Sequence, residues 1–176
     1  MKAIVVYKSK TGFTKRYAEW IVEELQCDIT TYENISREMI AEYDLVIYGS
    51  RIHAGRVDGL KKIKELVEKV DRPKLMVFAT GGTPSAVEDA IRGIWKASFS
   101  EEDLQKTPHF YMQSGLNYEK MGRGDRLIMK TLAKVLNRKK DKTSDEVGCQ
   151  EAIGDSYDIS SKKHIFPLIQ CVQEMK

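Results

Sequence analysis

The stretch that decides the fold is Ser9-Lys10-Thr11-Gly12-Phe13-Thr14, which directly follows the apolar run Ala3–Tyr7 and opens a segment of helical apolar spacing, Phe13–Leu25. A loop that joins a parallel strand to the next helix presents free backbone N–H groups at the carboxyl edge of the sheet. The positive end of the helix dipole points to the same place. The sequence therefore predicts a phosphate-binding loop at this position.

The residue types in this loop suit a mononucleotide. Hydroxyl groups from Ser9, Thr11 and Thr14 add donors, and Gly12 lets the backbone close around an anion. The loop has neither the Gly-Lys-Ser/Thr sequence of a Walker A loop nor the GxGxxG pattern of a dinucleotide site. A phosphate held by hydroxyls and backbone amides is what FMN requires. The alternative is that a threonine caps an ordinary helix.

Strand-like and helix-like segments alternate along the chain. Short runs rich in Val, Ile and Tyr predict further strands at Ile29–Tyr32, Asp44–Gly49, Lys74–Thr80 and His109–Gln113. Apolar residues at helical spacing predict helices at Phe13–Leu25, Leu60–Val70 and Ser85–Ala97. This alternation indicates the α/β class, with a parallel sheet covered on both faces. The threonine-containing run at residues 29–32 is expected to be an edge strand.

The last third of the chain is less regular. We predict a helix over Gly124–Asn137, a polar excursion over Arg138–Gly154 and a closing helix over Ser160–Glu174, with Ser160-Ser161 as its N-cap. No repeat of fixed period and no glycine- and serine-rich linker divides the sequence. We therefore expect one domain over residues 1–176, with a basic helical excursion at about 119–154 before the closing helix.

Composition excludes several classes of protein. The 176 residues are 41% hydrophobic and 31% charged, as in ordinary globular proteins, and the apolar runs are far too short to span a membrane. The first apolar run is too brief for a secretory signal, which favours a cytoplasmic location. Three widely spaced cysteines, Cys27, Cys149 and Cys171, support neither a disulfide framework nor a metal site.

The formal net charge of +3 hides an uneven distribution. Between Glu119 and Lys142 nine basic residues face three acidic ones, so this segment carries +6 and the rest of the chain −3. Its helix could lie on an anionic membrane surface through Lys130, Lys134 and Arg138, receive an acidic partner, or dock against its own sheet with the cations solvated. No aromatic interleaving or reader motif accompanies the charge, so nucleic acid is not an expected partner.

The loop Ser9–Thr14 resembles the phosphate loop of the flavodoxin family, whose pattern after the first strand is Ser/Thr-x-Thr-Gly-x-Thr. Gly49–Arg56 and Thr80–Ser85 fit the family's two flavin loops. The resemblance implies a flavodoxin-like three-layer sandwich with a five-stranded parallel sheet of order 2-1-3-4-5, in which the three loops converge. It also implies FMN as the cofactor. The expected binding residues are Ser9, Lys10, Thr11, Gly12, Phe13, Thr14, Ser50, Arg51, Ile52, His53, Ala54, Gly55, Thr80, Gly81, Gly82 and Thr83.

The two flavin loops have separate expected roles. Gly49 and Gly55 would allow the backbone to approach the ring, with Ile52 and His53 against it and Arg51 near its pyrimidine edge. Residues 80–83 would supply donors to that edge. The alternatives are a plain surface histidine at position 53 and an ordinary strand-to-helix turn at 80–83. The family commonly has an aromatic residue, often tyrosine, near position 53, and its electron carriers have an acidic, tyrosine-bearing loop at 80–83. No catalytic side chain is assigned.

A finer resemblance concerns the menaquinone-dependent protoporphyrinogen dehydrogenases of this family. The sequences Gly115-Leu116-Asn117-Tyr118 and Asp125-Arg126-x-x-Met129-Lys130 are similar to theirs. The resemblance implies an FMN-dependent oxidoreductase that passes electrons to a quinone, with a porphyrin substrate, at the inner face of a membrane. Two alternatives stay open: a soluble FMN electron carrier that docks with a redox partner, and a non-redox phosphate-binding or scaffold module.

Overall fold

A parallel sheet forms the centre of the structure, a computed structural model that describes residues 1–70, 73–138 and 156–175. Its parallel strands are β1 (Ala3–Lys8), β2 (Asp28–Thr31), β3 (Leu45–His53), β5 (Lys74–Gly81) and β6 (His109–Gln113). They lie in the order β2-β1-β3-β5-β6. The predicted order of five parallel strands is therefore confirmed. A sixth strand, β4 (Arg56–Val57), pairs antiparallel with the end of β3.

Helices cover both faces of the sheet. They are α1 (Phe13–Leu25), α2 (Arg37–Ile40), α3 (Leu60–Glu68), α4 (Glu88–Ser98), α5 (Glu101–Lys106), α6 (Arg123–Arg138) and α7 (Phe166–Glu174). Buried side chains of α1 and α7 pack on one face, and those of α2, α3 and α4 pack on the other. The two apolar clusters with the sheet between them make the three layers that the sequence predicted.

Burial along the strands explains their positions in the sheet. Four consecutive residues of β1, Ala3 to Val6, are buried, and so are the first six of β3. A strand covered by helices on both faces is buried at every position, so its sequence is continuously apolar. Strand β2 is only partly buried, and Ile29 keeps 40% of its surface exposed. The prediction of an edge strand there is confirmed.

The end of β3 and the start of α4 each differ by several residues from the sequence prediction. Strand β3 does not end at Gly49 but continues to His53, and the chain then turns through Ala54 and Gly55, both with positive φ (49° and 76°), into β4. A two-residue turn with both φ angles positive matches the twist of a hairpin, which is why the segment forms paired strands instead of a loop. Helix α4 begins at Glu88, three residues later than expected, after a turn that Gln113 holds by accepting hydrogen bonds from Ser85.

The last third of the chain contains the predicted helix α6. The predicted excursion over Arg138–Gly154 lies almost entirely outside the described residues. Strands β7 (Gly115–Leu116) and β8 (Tyr157–Asp158) pair antiparallel on either side of it. The closing helix starts as a 3-10 turn over Lys162–Ile165, where the Ser161 hydroxyl accepts a hydrogen bond from the N–H of Lys163.

Candidate phosphate and cofactor site

The predicted phosphate loop lies between β1 and α1, at the carboxyl edge of the sheet. Gly12 is the N-cap of α1, and its φ of 97° lies in the left-handed region that favours glycine. Among the residues that the structure describes, no side chain caps this end of the helix, and its first turn contains no acidic residue. The first N–H groups of α1 therefore have neither a side-chain acceptor nor a competing carboxylate, which is the condition for binding an external anion.

One hydroxyl in this loop is buried without a partner. Within the described part of the chain, Ser9 Oγ has no hydrogen-bond acceptor or donor, although it is shielded from solvent. A cavity of about 330 Å³ lies beside it, lined by Ser9, Lys10, Gly12, Lys15 and Lys120 among others. Because a buried polar group without a partner costs free energy, this hydroxyl is suited to a hydrogen bond with a bound ligand. The donors and the lysines fit a phosphate group.

The other side chains of the loop take different positions. Thr11 lines a second cavity, of about 410 Å³, together with Lys15, Arg16 and Tyr157. Phe13 is largely buried, with 7% of its surface exposed, and it lines the same cavity as Thr11. The apolar face of α1 packs against the sheet, and Phe13 lies on that face.

Thr14 and Thr80 join the phosphate loop to the end of β5. Their hydroxyl groups share a hydrogen bond of 2.7 Å, and both residues are almost fully buried. The expectation that the Thr80 hydroxyl lies at the rim of a flavin is therefore wrong for this arrangement, because alternation along β5 directs it toward α1. The contact nevertheless brings together two of the three predicted loops.

The end of β3 divides the predicted flavin residues between the sheet and the surface. Ser50 is fully buried, whereas Arg51 and Ile52 are partly exposed and His53 lies at the tip of the hairpin. Gly49 serves a purpose different from the one predicted. A Cβ atom there would lie 1.9 Å from the Phe78 ring, so this glycine makes room for a core side chain and not for a cofactor.

The carbonyl groups of residues 81–83, at the end of β5 and in the loop after it, all accept hydrogen bonds from other segments of the chain. The carbonyl of Gly81 accepts from the N–H of Ser114, that of Gly82 from the Tyr157 hydroxyl and that of Thr83 from the Tyr111 hydroxyl. Burial raises the pKa of Tyr111, so its hydroxyl stays a donor. These carbonyls are engaged, so the loop has its N–H groups and the Thr83 hydroxyl to offer a ligand.

The hairpin and the loop at 81–83 approach each other closely. A Cβ atom on Gly81 would lie 3.0 Å from Ile52 Cδ1 and 3.0 Å from the Tyr111 hydroxyl. On the other side of the loop, Tyr157 comes as near to Gly82, 2.7 Å from the corresponding position. The glycines therefore allow a tight arrangement, and the three predicted loops converge at one edge of the sheet.

A carboxylate that the sequence analysis did not place in the site binds two of these loops. Asp125, in the first turn of α6, accepts a hydrogen bond of 2.7 Å from Lys10 Nζ and one of 2.9 Å from an Nη1 of Arg51. His53 Nδ1 lies 3.5 Å from its other oxygen. Burial would raise the pKa of Asp125, but the hydrogen bonds from Lys10 and Arg51 outweigh it and keep the pKa below its usual value.

Asp58 completes an ion-pair cluster with the same arginine. Its carboxylate lies 2.9 Å from Lys8 Nζ and 3.6 Å from Arg51 Nε. Arg51 thus lies between two carboxylates, Asp58 and Asp125. Its charge is therefore balanced by a carboxylate from the β4–α3 turn and by another from α6.

The sequence analysis missed Asp58, Asp125 and Tyr157 as residues of this site. Asp125 belonged to a motif that it quoted, but 115 residues separate this residue from Lys10, and only the folded chain shows the contact. Among the described residues, no group of three or more potential metal ligands comes together. The described part of the chain also contains no helix with the length and apolarity needed to cross a membrane.

The sequence model of the flavodoxin domain family matches residues 4–143 of this chain. The chain belongs to the flavodoxin domain family. An uncharacterized protein of Methanocaldococcus jannaschii is 34% identical to this flavodoxin domain over 87 residues. That match covers 48% of this chain and 57% of the relative, so the chain spans little more than half the length of the curated relative.

Several solved structures that resemble this flavodoxin domain are described as flavodoxins or flavoproteins, at low sequence identity. A WrbA-like flavodoxin of Agrobacterium tumefaciens is 15% identical, with a TM-score of 0.49, and the match covers 86% of this chain and 94% of that one. Flavodoxin 2 of Bacillus cereus is 17% identical, with a TM-score of 0.47 over 87% and 95%. A flavoprotein of Lactobacillus acidophilus in complex with FMN is 16% identical, with a TM-score of 0.44 over 64% and 91%.

Proposed function

We propose that this flavodoxin domain binds FMN and works as an oxidoreductase. The observation that carries the proposal is the unpartnered Ser9 hydroxyl beside an uncapped helix start, with Gly12 in a left-handed conformation. A phosphate group supplies acceptors for both the hydroxyl and the N–H groups of α1. Membership of the flavodoxin domain family supports the choice of FMN over other phosphates.

In this proposal the residues of the three loops divide the work of binding. Ser9, Thr11 and the first amides of α1 hold the phosphate, and Lys10 adds positive charge beside it. Ile52 and His53 on the hairpin, with the N–H groups at 81–83, are the residues available to a ring system. When bound, FMN supplies the redox chemistry, and the chain supplies binding, exclusion of water and the electrostatic environment.

The first test is reconstitution. When the protein is titrated with FMN, the fluorescence of FMN is expected to be quenched. The protein is also expected to retain the yellow cofactor through gel filtration, because the phosphate loop binds the phosphate group of FMN. Riboflavin, which lacks the phosphate, is expected to bind at least about tenfold more weakly, since it forfeits the charge-assisted hydrogen bonds of the loop. Protein that binds neither flavin would contradict the proposal and favour the non-redox alternative.

We further propose a quinone as electron acceptor and a porphyrin as substrate. The support is the resemblance of the Asp125-Arg126-x-x-Met129-Lys130 helix to the protoporphyrinogen dehydrogenases, together with the contact of that helix with Lys10 and Arg51. The FMN-loaded protein is expected to oxidise protoporphyrinogen with a menaquinone analogue. A loaded protein that exchanges electrons with a small redox protein but not with these compounds would favour the soluble carrier instead.

The exposed cations of α6 lead to a prediction about location. Lys130, Lys134 and Arg138 are all exposed, and Leu127, which precedes them on the helix, has 66% of its surface in solvent. We propose peripheral binding to an anionic membrane surface, with the protein otherwise in the cytoplasm. Binding to vesicles containing phosphatidylglycerol is expected to weaken steeply as salt rises.

The test compares two triple variants, in each of which three exposed basic residues are replaced by glutamate. Changing Lys130, Lys134 and Arg138 to glutamate is expected to abolish vesicle binding, since each basic residue contributes about 1 kcal/mol near an anionic surface. The control changes Lys61, Arg92 and Lys96, exposed cations on α3 and α4, in the same way. Equal loss in both triple variants would mean that net charge alone is responsible, and no binding by the wild type would contradict the proposal.

A further inference from the structure

One carboxylate links the basic helix to the cofactor loops. Asp125 bonds Lys10 from the phosphate loop and Arg51 from the β3–β4 hairpin at the same time, and only 12% of its side chain is exposed. Because its carboxylate contacts both loops, Asp125 bridges the phosphate loop and the β3–β4 hairpin. A ligand held by these two loops meets this carboxylate.

The start of α6 is shaped to receive Lys10. The Nζ atom of Lys10 lies 2.6 Å from the place where a Cβ atom of Gly122 would be, so a larger residue there would collide with the lysine. The carbonyl of Gly122 accepts the hydrogen bond from the N–H of Arg126 in the first turn of the helix. Lys10 therefore packs on the beginning of α6 as well as pairing with Asp125.

The described side chains farther along α6 make no comparable link. Arg126, Lys130, Thr131, Lys134 and Arg138 are exposed, as is Leu127. Among the ion pairs of the described residues, those of Asp125 are the ones that connect α6 to the rest of the protein. Asp125 is thus positioned to hold the first turn of the helix in place.

Lys10 and Arg51, which pair with Asp125, would also attract the phosphate group of the cofactor. A phosphate monoester carries about −1.5 to −2 charges at pH 7 and binds lysine and arginine more strongly than a single carboxylate does. A phosphate in the loop Ser9–Thr14 therefore competes with Asp125 for Lys10. Since one carboxylate holds both loops, losing Lys10 weakens its hold on the helix.

We propose that Asp125 is a latch that competes with the FMN phosphate, so that cofactor binding releases the first turn of α6. The inference rests on the proposed binding of FMN. By thermodynamic reciprocity, any partner that draws α6 away from the loops raises the affinity for FMN by the same factor. The latch thus makes cofactor loading respond to what the basic helix binds.

The first experiment measures flavin affinity in Asp125→Asn, an isosteric change that removes the charge. We expect FMN to bind this variant about tenfold more tightly than it binds the wild type, which is within the usual range of coupling between sites. Riboflavin, which brings no phosphate to Lys10, is expected to change less than about twofold. Asp89→Asn, an exposed aspartate on α4, should leave both affinities unchanged. Unchanged or weaker FMN binding by Asp125→Asn would overturn the latch.

The second experiment follows the helix in the wild-type protein by hydrogen exchange. FMN is expected to speed exchange of the amides at residues 123–130, and riboflavin is expected to have little effect. Asp89→Asn removes an exposed charge that pairs with Arg92 on α4, so exchange of those amides should stay at the wild-type rate. Slower or unchanged exchange with FMN would contradict the latch. A wild type that binds no FMN would instead contradict the proposed function.

Discussion

Replacing Gly49 with alanine is expected to destabilise the domain by about 3 kcal/mol, at the upper end of the range for overpacking a core. The added Cβ atom would lie 1.9 Å from the ring of Phe78, its neighbour in the paired strand β5. Phe78 is fully buried, so its ring has no open space to move into. Urea denaturation followed by far-UV circular dichroism measures the difference in the free energy of unfolding.

Gly93 provides the control for this substitution. It lies within α4, and a Cβ atom there meets nothing within 4 Å. Gly93→Ala should stabilise the protein by up to about 1 kcal/mol, because alanine has the higher helix propensity. A Gly49→Ala protein whose free energy of unfolding is within about 1 kcal/mol of the wild-type value would show that the packing between β3 and β5 adjusts to the added methyl group.

Replacing Thr11 with glutamate is expected to lower the affinity for FMN by at least about a hundredfold. The new carboxylate removes a hydroxyl donor, competes for the N–H groups of α1 and repels the phosphate. Thr11 is a better position than Thr14, because its side chain lines a cavity while Thr14 is buried against Thr80. The Thr11 substitution therefore tests binding without disturbing the core. Fluorescence titration with FMN measures the affinity.

The control for Thr11 is a threonine far from the carboxyl edge of the sheet. Thr107 is partly exposed and ends α5 just before the amino end of β6, so Thr107→Glu adds the same charge away from the site. It should bind FMN like the wild type. A Thr11→Glu protein that retains FMN at wild-type affinity would remove the phosphate loop from the proposed site.

Much of the fold was predictable because its signals are local. The bounds of α1 and β6 match the prediction residue for residue, since a glycine N-cap and a short apolar run mark them. Helix α5 was missed although Ser100 and Asp103 form a capping box there, because six residues are too few for an apolar period to appear. The extension of β3 was missed because its turn uses Ala54 at positive φ, which alanine seldom adopts.

The site was predictable at the level of loops and not of side chains. Parallel topology alone brings the loops after β1, β3 and β5 to one edge. Whether Ser50 or Arg51 faces outward depends on the twist and alternation at the end of a strand whose length was misjudged. The contact of Asp125 with Lys10 joins distant parts of the chain, and such pairings follow from tertiary packing and not from any local pattern.

The two-residue ladder between β7 and β8 has a consequence for how this architecture can vary. Gly115 pairs with Asp158 and Leu116 with Tyr157, so the two ends of the connection between these strands lie side by side. Lengthening a connection whose ends are already fixed costs little free energy, because loop-closure entropy grows only slowly with length. Changes of length in the connection between Leu116 and Tyr157 are therefore expected to cost the domain little stability, provided that Asp125 keeps its contacts with Lys10 and Arg51.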